Sequence, residues 1–403
     1  MIGGLFEMVE GVATLVVDLG NSETRVRTYF GKSAKGKSRY RFSVLSNRFQ
    51  RLRKSAAEEG EVESLLKNDA YNPENSAIFR MDGDYYVNGL LCQSEYQGGS
   101  IRPSSAGRRK YEDIACKLAI INAFHKGFEM VADMANTDVE SLNIKWKIAL
   151  LLPPEDMEMG AQKIADMVKS IESIDFIMPD MKMNIEFDEG SPINVYPEGF
   201  CALVAILFES KGKLREDYMY LTDPEETTMI IDIGAGTSDL TLANGTKIVT
   251  SSRYTANIGG NNVVAIVDDQ LRRRSIRLSS KALNKGVETG QVRVGAKSFD
   301  ISEELRIAKD TVSRELMEEV NKFLERNSLS MQSINNILLC GGGAEESRVE
   351  GVNPIADYIT DYVKELSEFI NVIELPEYIN ENGEKVKMSP RHLNIIGAGI
   401  LSE

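Results

Sequence analysis

The sequence predicts an α/β protein made of two related domains. Three observations carry that expectation. The chain has 403 residues, more than one hydrophobic core normally organises. Short apolar runs with period-two alternation are interleaved with stretches of helical periodicity along its whole length. One short hairpin pattern occurs twice, about 214 residues apart, too far for a solenoid repeat and suited to a duplicated domain.

Composition narrows the class. At 42% hydrophobic and 27% charged, the chain reads as an ordinary soluble globular protein. Its net charge of −14 argues against a surface that coats nucleic acid. Cys92, Cys116, Cys201 and Cys340 show no C-x-x-C pairing, which suggests a reducing, cytoplasmic compartment and buried thiols, not a disulfide frame or zinc site. No apolar run approaches the roughly 18 to 20 residues of a membrane span. The start, "MIGGLFEMVEG", lacks the basic and apolar regions of a signal peptide. With only His125 and His392 present, a histidine-based catalytic network is not expected.

Along the chain, residues 12 to 30 read as strand, turn, strand, with Val26, Thr28 and Phe30 alternating against Arg25, Arg27 and Tyr29. Residues 55 to 75 are polar, a loop or short helix. "AIFRMDGDYYVNG" forms a hairpin through Asp82-Gly83. "KYEDIACKLAIINAFHKGFEMVADMA" has helical period, "IKWKIALLLPP" is a buried strand stopped by Pro153 and Pro154, and "EDMEMGAQKIADMVKSI" returns to helix. "FCALVAILFESKG" is an apolar helix entered through Pro197-Glu198-Gly199. Further helices fall near 261 to 274 and 302 to 327. "INNILLCGGGAE" is a buried strand ending in three glycines, then a helix with Pro354, and the tail "HLNIIGAGILS" is apolar.

The repeated pattern is "LVVDLGNSETRV" and "IIDIGAGTSDL". Each has an apolar strand, an aspartate, an apolar residue, a glycine, small hydroxyl residues and an apolar return. Asp18 aligns with Asp232, and Gly20 with Gly234. Phosphate binding suits this design. Gly20, Gly234 and Gly236 let backbone turn tightly against an anion. Backbone N–H groups, with Ser22, Thr24, Thr237 and Ser238, can donate to phosphate oxygens. An aspartate beside phosphate makes sense with a cation between them, and Mg²⁺ takes one or two carboxylates plus phosphates. Asp18 and Asp232 fit that role, and Arg25 can serve as a fixed positive charge.

"VVDLGNSETRV", "IIDIGAGTSDL" and "ILLCGGGAE" resemble the phosphate 1, phosphate 2 and adenosine motifs of the actin-like ATPase superfamily, in the same order. "VYPEGFCALVAIL" and "HLNIIGAGILS" resemble its two connecting helices. Within the superfamily, "ALLLPPEDM", "YPEG" and "GGGAE" are similar to ParM-like plasmid-segregation actins. The resemblance implies an actin-like fold, two duplicated ribonuclease-H-like domains with inserted subdomains around a nucleotide cleft. It implies that Asp18 and Asp232 organise Mg²⁺ and water, and that Gly20, Asn21 and Ser22 contact phosphates from one side and Gly234, Ala235, Gly236 and Thr237 from the other. Arg25 stands where that family usually has Lys. Gly341, Gly342 and Gly343, with Ala344 and Glu345 beside them, would admit the adenosine end. Glu198 falls where the family positions the hydrolytic water, although a Glu after Pro at a helix start is also favoured by the helix dipole alone. "NIGGNN" at 257 to 262 resembles a glycine pair at a subdomain boundary, with Asn261 departing from the acid of some relatives.

A rival motif exists. "GKSAKGKS", residues 31 to 38, fits the P-loop pattern, which needs a helix directly after it. "RYRFSVL" comes next and alternates like a strand, so the segment reads as a hairpin tip. "GQVRVGAKS" at 290 to 298 misses the pattern and reads as a loop. The basic run Lys32 to Lys54 is a solvated face, or a contact for an acidic subunit or an anionic partner. "LRRRSIR" reads as an exposed helix end, and the methionines at 157, 159, 167, 178, 181 and 183 as packing.

Domain I is therefore expected at 1 to 197, with an insertion near 31 to 100 and the tail 386 to 403 returning to it. Domain II is expected at 198 to 385, with an insertion near 260 to 330. The function that the resemblance implies is a nucleotide-dependent, filament-forming ATPase, hydrolysing ATP or GTP with Mg²⁺. It would assemble head-to-tail with itself, in cytoskeletal segregation of plasmid or other low-copy DNA. That DNA would be reached through a separate DNA-binding adaptor, with no direct membrane contact. The alternatives are a superfamily phosphotransferase and a chaperone-type ATPase.

Overall fold

The computed structural model describes residues 8–20, 23–32, 38–52, 77–89, 92, 101, 109–178, 181–190, 193–379 and 385–403. They form two compact units. One holds the described residues up to Leu152 and Asp156–Tyr196, and the other holds Pro153–Glu155 and Pro197–Leu401.

In the first unit the chain runs β1 (Val9–Leu19), β2 (Glu23–Lys32), β3 (Ser38–Ser46), β4 (Phe49–Leu52), β5 (Ile78–Met81), β6 (Asp84–Asn88), α1 (Ile114–Ala135), β7 (Leu142–Leu152), α2 (Met157–Lys169), β8 (Ser173–Met178), β9 (Met181–Asn184), β10 (Glu186–Phe187) and β11 (Asn194–Pro197). The main sheet has the order β3-β2-β1-β7-β10, with β11 also on β7. The pair β1–β2 is antiparallel and β1–β7 parallel. Leu15 to Leu19 are buried without alternation, as befits a central strand covered on both faces. α1 starts where Asp113 accepts from the Ala115 N–H at 2.9 Å, an N-cap. It ends on left-handed Asn136, φ 55°. Phe124 and Phe128 of α1 meet Trp146 edge-on at 6.0 and 5.0 Å between ring centres, in the middle of the first core.

A second sheet has the order β4-β6-β5-β8-β9. Its β5–β6 hairpin turns on Asp82 (φ 51°) and Gly83 (φ 80°), two left-handed residues as a type I′ turn needs. The insertion expected at 31 to 100 is thus composed differently. Strand β3 belongs to the main sheet, and the small sheet is completed from β8 and β9. Aromatic packing accounts for this: Phe79 lies opposite Phe176 in the β5–β8 pairing, with ring centres 5.7 Å apart.

The second unit runs α3 (Phe200–Leu207), β12 (Phe208–Ser210), β13 (Lys213–Leu214), β14 (Thr227–Ile233), β15 (Ser238–Asn244), β16 (Lys247–Ala256), α4 (Gly260–Arg273), α5 (Ser280–Thr289), β17 (Gln291–Val294), β18 (Lys297–Asp300), α6 (Ser302–Arg326), β19 (Asn336–Cys340), α7 (Ile355–Leu366), β20 (Asn371–Val372), β21 (Glu377–Ile379), β22 (Lys385–Lys387) and α8 (Leu393–Ser402). Its sheet order is β16-β15-β14-β19-β20. β14–β15 and β15–β16 are antiparallel, while β19 and β20 continue in parallel. Strand for strand this repeats the first unit's β3-β2-β1-β7-β10. The duplication visible in two hairpins extends to a whole sheet.

Three expectations are corrected here. The apolar helix after Gly199 stops at Leu207, because Phe208–Leu214 turn back as the β12–β13 hairpin through Gly212, φ 76°. The stretch 290 to 298, expected as a loop, contains most of the β17–β18 hairpin, turned by Gly295 at φ 60°. The tail, expected in domain I, forms α8, which lies in the second unit as far as Leu401. A Cβ built on Gly397 would sit 1.7 Å from the Cys201 carbonyl oxygen, so α8 and α3 approach there more closely than any side chain permits.

Candidate functional site: two matched acidic hairpins

In the first unit, Asp18 lies one residue before the end of β1, across the ladder from Arg25. Its carboxylate is buried and accepts a hydrogen bond from Arg25 Nη1 at 2.8 Å. Gly20 opens the turn. A Cβ there would lie 2.6 Å from the Glu23 carbonyl oxygen, so the close approach requires glycine. Asn47, just past β3, ties the turn down: its Nδ2 donates to the Gly20 carbonyl at 2.6 Å, and its Oδ1 accepts from Thr24 Oγ1 at 2.7 Å. Asn21 and Ser22 lie outside the described residues, as does Lys37 of the rival motif. That motif leads into β3, a strand and not the helix a P-loop requires.

The second unit repeats the design. Asp232, near the end of β14, faces Asp239 across the hairpin and Cys340 of β19. Gly234 is under the same steric constraint as Gly20, since a Cβ there would lie 2.8 Å from the Thr237 carbonyl oxygen. Two N–H groups of the first turn of α4 cap this hairpin. Gly260 donates to the Gly234 carbonyl at 3.0 Å, and Asn261 to the Ala235 carbonyl at 2.6 Å. The positive end of the α4 dipole therefore abuts the turn. Gly234, Ala235, Gly236 and Thr237 remain half-exposed.

Two hydroxyls expected as phosphate donors are committed elsewhere. Thr24 is fully buried and donates to Asn47, and Ser238 is fully buried and donates to the Ile258 carbonyl at 2.7 Å. Both brace their hairpins from the inside.

The glycine turn after β19 packs on the Asp232 hairpin. Gly341 has φ 84°, and a Cβ there would meet Asp232 Oδ1 at 2.3 Å. Gly343 is equally tight against Ile233, whereas a Cβ on Gly342 would meet nothing within 4 Å. Glu345 is held by Ser389 Oγ and Arg391 Nη1, each donating at 3.1 Å. Glu198 is buried at the entry to α3, where Gly199 (φ 73°) makes the bend. In the second unit the structure thus brings Asp232, the Gly341 turn and the start of α3 into one neighbourhood. Asn394 of α8 joins them, its Oδ1 accepting from Gly199 N–H at 2.9 Å and its Nδ2 donating to Asp232 Oδ2 at 2.5 Å.

Asn47, Ser389, Arg391 and Asn394 are missed by sequence reasoning.

Among the described residues, no group of three or more His, Cys, Asp or Glu side chains converges as a metal cage. No helix among the described residues is long and apolar enough to cross a membrane.

Comparisons agree with the duplicated architecture. Residues 230–349 match the family described as archaeal actin homologue MreB-like, C-terminal. No curated protein matches the sequence. Among solved structures, the chain is similar to a 15-stranded ParM filament from Clostridium botulinum, at 17% identity and a TM-score of 0.63, covering 97% of this chain and 99% of the other. It is also similar to an archaeal actin homologue in complex with ADP, at 11% identity and a TM-score of 0.61, covering 96% and 98%. A third is Bacillus thuringiensis ParM with ATP, at 13% identity and a TM-score of 0.58, covering 97% and 98%. The fold is actin-like.

Proposed function

We propose that the protein is a nucleotide-dependent, filament-forming ATPase of the ParM type. The observation that carries this reading is the matched pair of hairpins, each with an aspartate near the end of its strand and a glycine two residues on that admits no side chain. Such a pair suits the phosphates of one magnesium nucleotide. Asp18 and Asp232 would hold Mg²⁺ through its waters, and the bound ion would neutralise charge on the phosphates. The half-exposed backbone of Gly234 to Thr237, backed by the positive end of α4, would receive phosphate oxygens. Gly342, open on its surface, would allow the adenosine end to approach, with Glu345 beside it. Glu198 would orient the attacking water.

Filament formation rests on the likeness to a ParM filament. Assembly by a heterologous contact gives an open polymer. Bound nucleotide would favour one conformation and its hydrolysis release it, a population shift driven by differential affinity. Segregation of low-copy DNA in the cytoplasm, through a DNA-binding adaptor, follows from the same likeness and from the acidic net charge of −14, which disfavours direct DNA binding.

Right-angle light scattering and sedimentation with Mg-ATP and Mg-GTP test the reading. Polymer that forms with one of these nucleotides, and disassembles as phosphate is released, is the expected result. Hydrolysis without pelletable polymer at any salt or protein concentration would instead indicate a non-polymerising ATPase or phosphotransferase.

A further inference from the structure

Asn394 is a buried amide on an otherwise apolar helix, "LNIIGAGILS". A polar group in such a place is costly unless its hydrogen bonds are made. Both sides of this amide are used, and the chemistry of the partners fixes its orientation. The Gly199 N–H can only donate, so Oδ1 faces it at 2.9 Å. The Asp232 carboxylate accepts, so Nδ2 faces it at 2.5 Å. Leucine would offer neither bond, and an ionised aspartate would set two carboxylates against each other. The platform is also fixed. One turn along α8, Gly397 lies against the Cys201 carbonyl so closely that no Cβ fits, which leaves the helix little room to slide on α3.

We infer that Asn394 is a positioning residue for nucleotide hydrolysis: its amide locks the Asp232 carboxylate and the Glu198–Gly199 backbone into one geometry, and so sets turnover and not nucleotide affinity. The inference rests on the proposed function of Asp232 and Glu198. One side chain, reaching 162 residues back to Asp232, holds the group that would organise the ion at a set distance from the group that would orient the water. Misplacing a reacting group by about 1 Å costs on the order of 10²-fold in rate.

The test is Asn394→Leu, with Asn394→Gln beside it, in the 403-residue chain. Steady-state Mg-ATP hydrolysis is followed alongside ADP affinity by fluorescence titration and thermal melting. Asn394→Leu is expected to lose about 10²-fold in kcat, with ADP affinity within about threefold of the parent. Asn394→Gln keeps the amide and should recover part of that kcat, which simple loss of packing does not produce. Parental kcat in Asn394→Leu, or a loss confined to affinity, overturns the inference. If Asn394→Leu melts below the assay temperature, Asn394→Ala replaces it and is read in the same way. A parent that neither binds nor splits nucleotide sinks the nucleotide reading as well. A parent that hydrolyses normally beside an indifferent Asn394→Leu sinks this inference alone.

Discussion

Arg25 Nη1 donates to Asp18 Oδ2 at 2.8 Å, with both side chains largely buried. A guanidinium thus occupies the acidic hairpin of the first unit, while the matching Asp232 accepts from the neutral amide of Asn394. The two aspartates share a position in the fold, and each accepts from a different kind of donor. The first is charge-compensated by its own strand partner, and the second is oriented by a donor that carries no charge.

Removing the guanidinium should be costly. Arg25→Ala leaves the buried Asp18 carboxylate without it, and a loss of roughly 3 kcal/mol in unfolding free energy is expected. Arg25→Lys should recover part of this, since a point charge replaces a planar fork. Urea denaturation of the three proteins checks the ordering. A parental midpoint for Arg25→Ala would show that the pair contributes nothing to stability.

The glycines of the site should separate into two classes. Gly234→Ala forces a Cβ to within 2.8 Å of a backbone oxygen and should cost about 1–3 kcal/mol. Gly342→Ala enters open space and should stay within about 0.5 kcal/mol of the parent. Calorimetric melting distinguishes them. Equal melting temperatures for the two variants would contradict the steric argument.

Much of this fold is legible in the sequence, and the gaps have physical causes. The hairpins stand out because the same pattern of strand, acid and glycine occurs twice, and Pro153-Pro154 marks the end of β7. Thr24 and Ser238 pass for phosphate donors when residue type is weighed above place in the strand. Carrying the alternation of Val26 and Thr28 one step back puts Thr24 on the buried face. Asn47 and Asn394 leave no local signal. Their partners lie 27 and 162 residues away, and a buried amide on an apolar helix looks like an ordinary interruption until the fold closes around it. The position of α8 depends on Gly397 meeting a carbonyl of α3, a contact no periodicity encodes.

His125 predicts a pH dependence of stability. It is buried in α1, its ring centre 4.5 Å from that of Phe176. Burial pushes its pKa below the usual imidazole value, despite Glu129 nearby, with Lys126 acting in the same direction as burial. The folded state therefore binds this proton more weakly than the unfolded chain. Stability from this group is fully present above the unfolded value of about 6.5 and is lost as pH falls below it. His125→Phe keeps an aromatic ring against Phe176 and should flatten the slope of unfolding free energy between pH 7.5 and 5.5. An unchanged slope would place the acid sensitivity elsewhere.

If both acidic hairpins serve one magnesium nucleotide, each aspartate must matter to its binding. The decisive experiment is isothermal titration of ATP, with and without Mg²⁺, into the parent, Asp18→Asn and Asp232→Asn, because Asn keeps the size of the side chain and removes its charge. Mg²⁺-dependent binding is expected in the parent, with a loss of at least about tenfold, ~1.4 kcal/mol, in each variant, and Lys37→Ala should bind like the parent. Parental affinity and Mg²⁺ dependence in both aspartate variants, with binding lost in Lys37→Ala, would contradict the shared site.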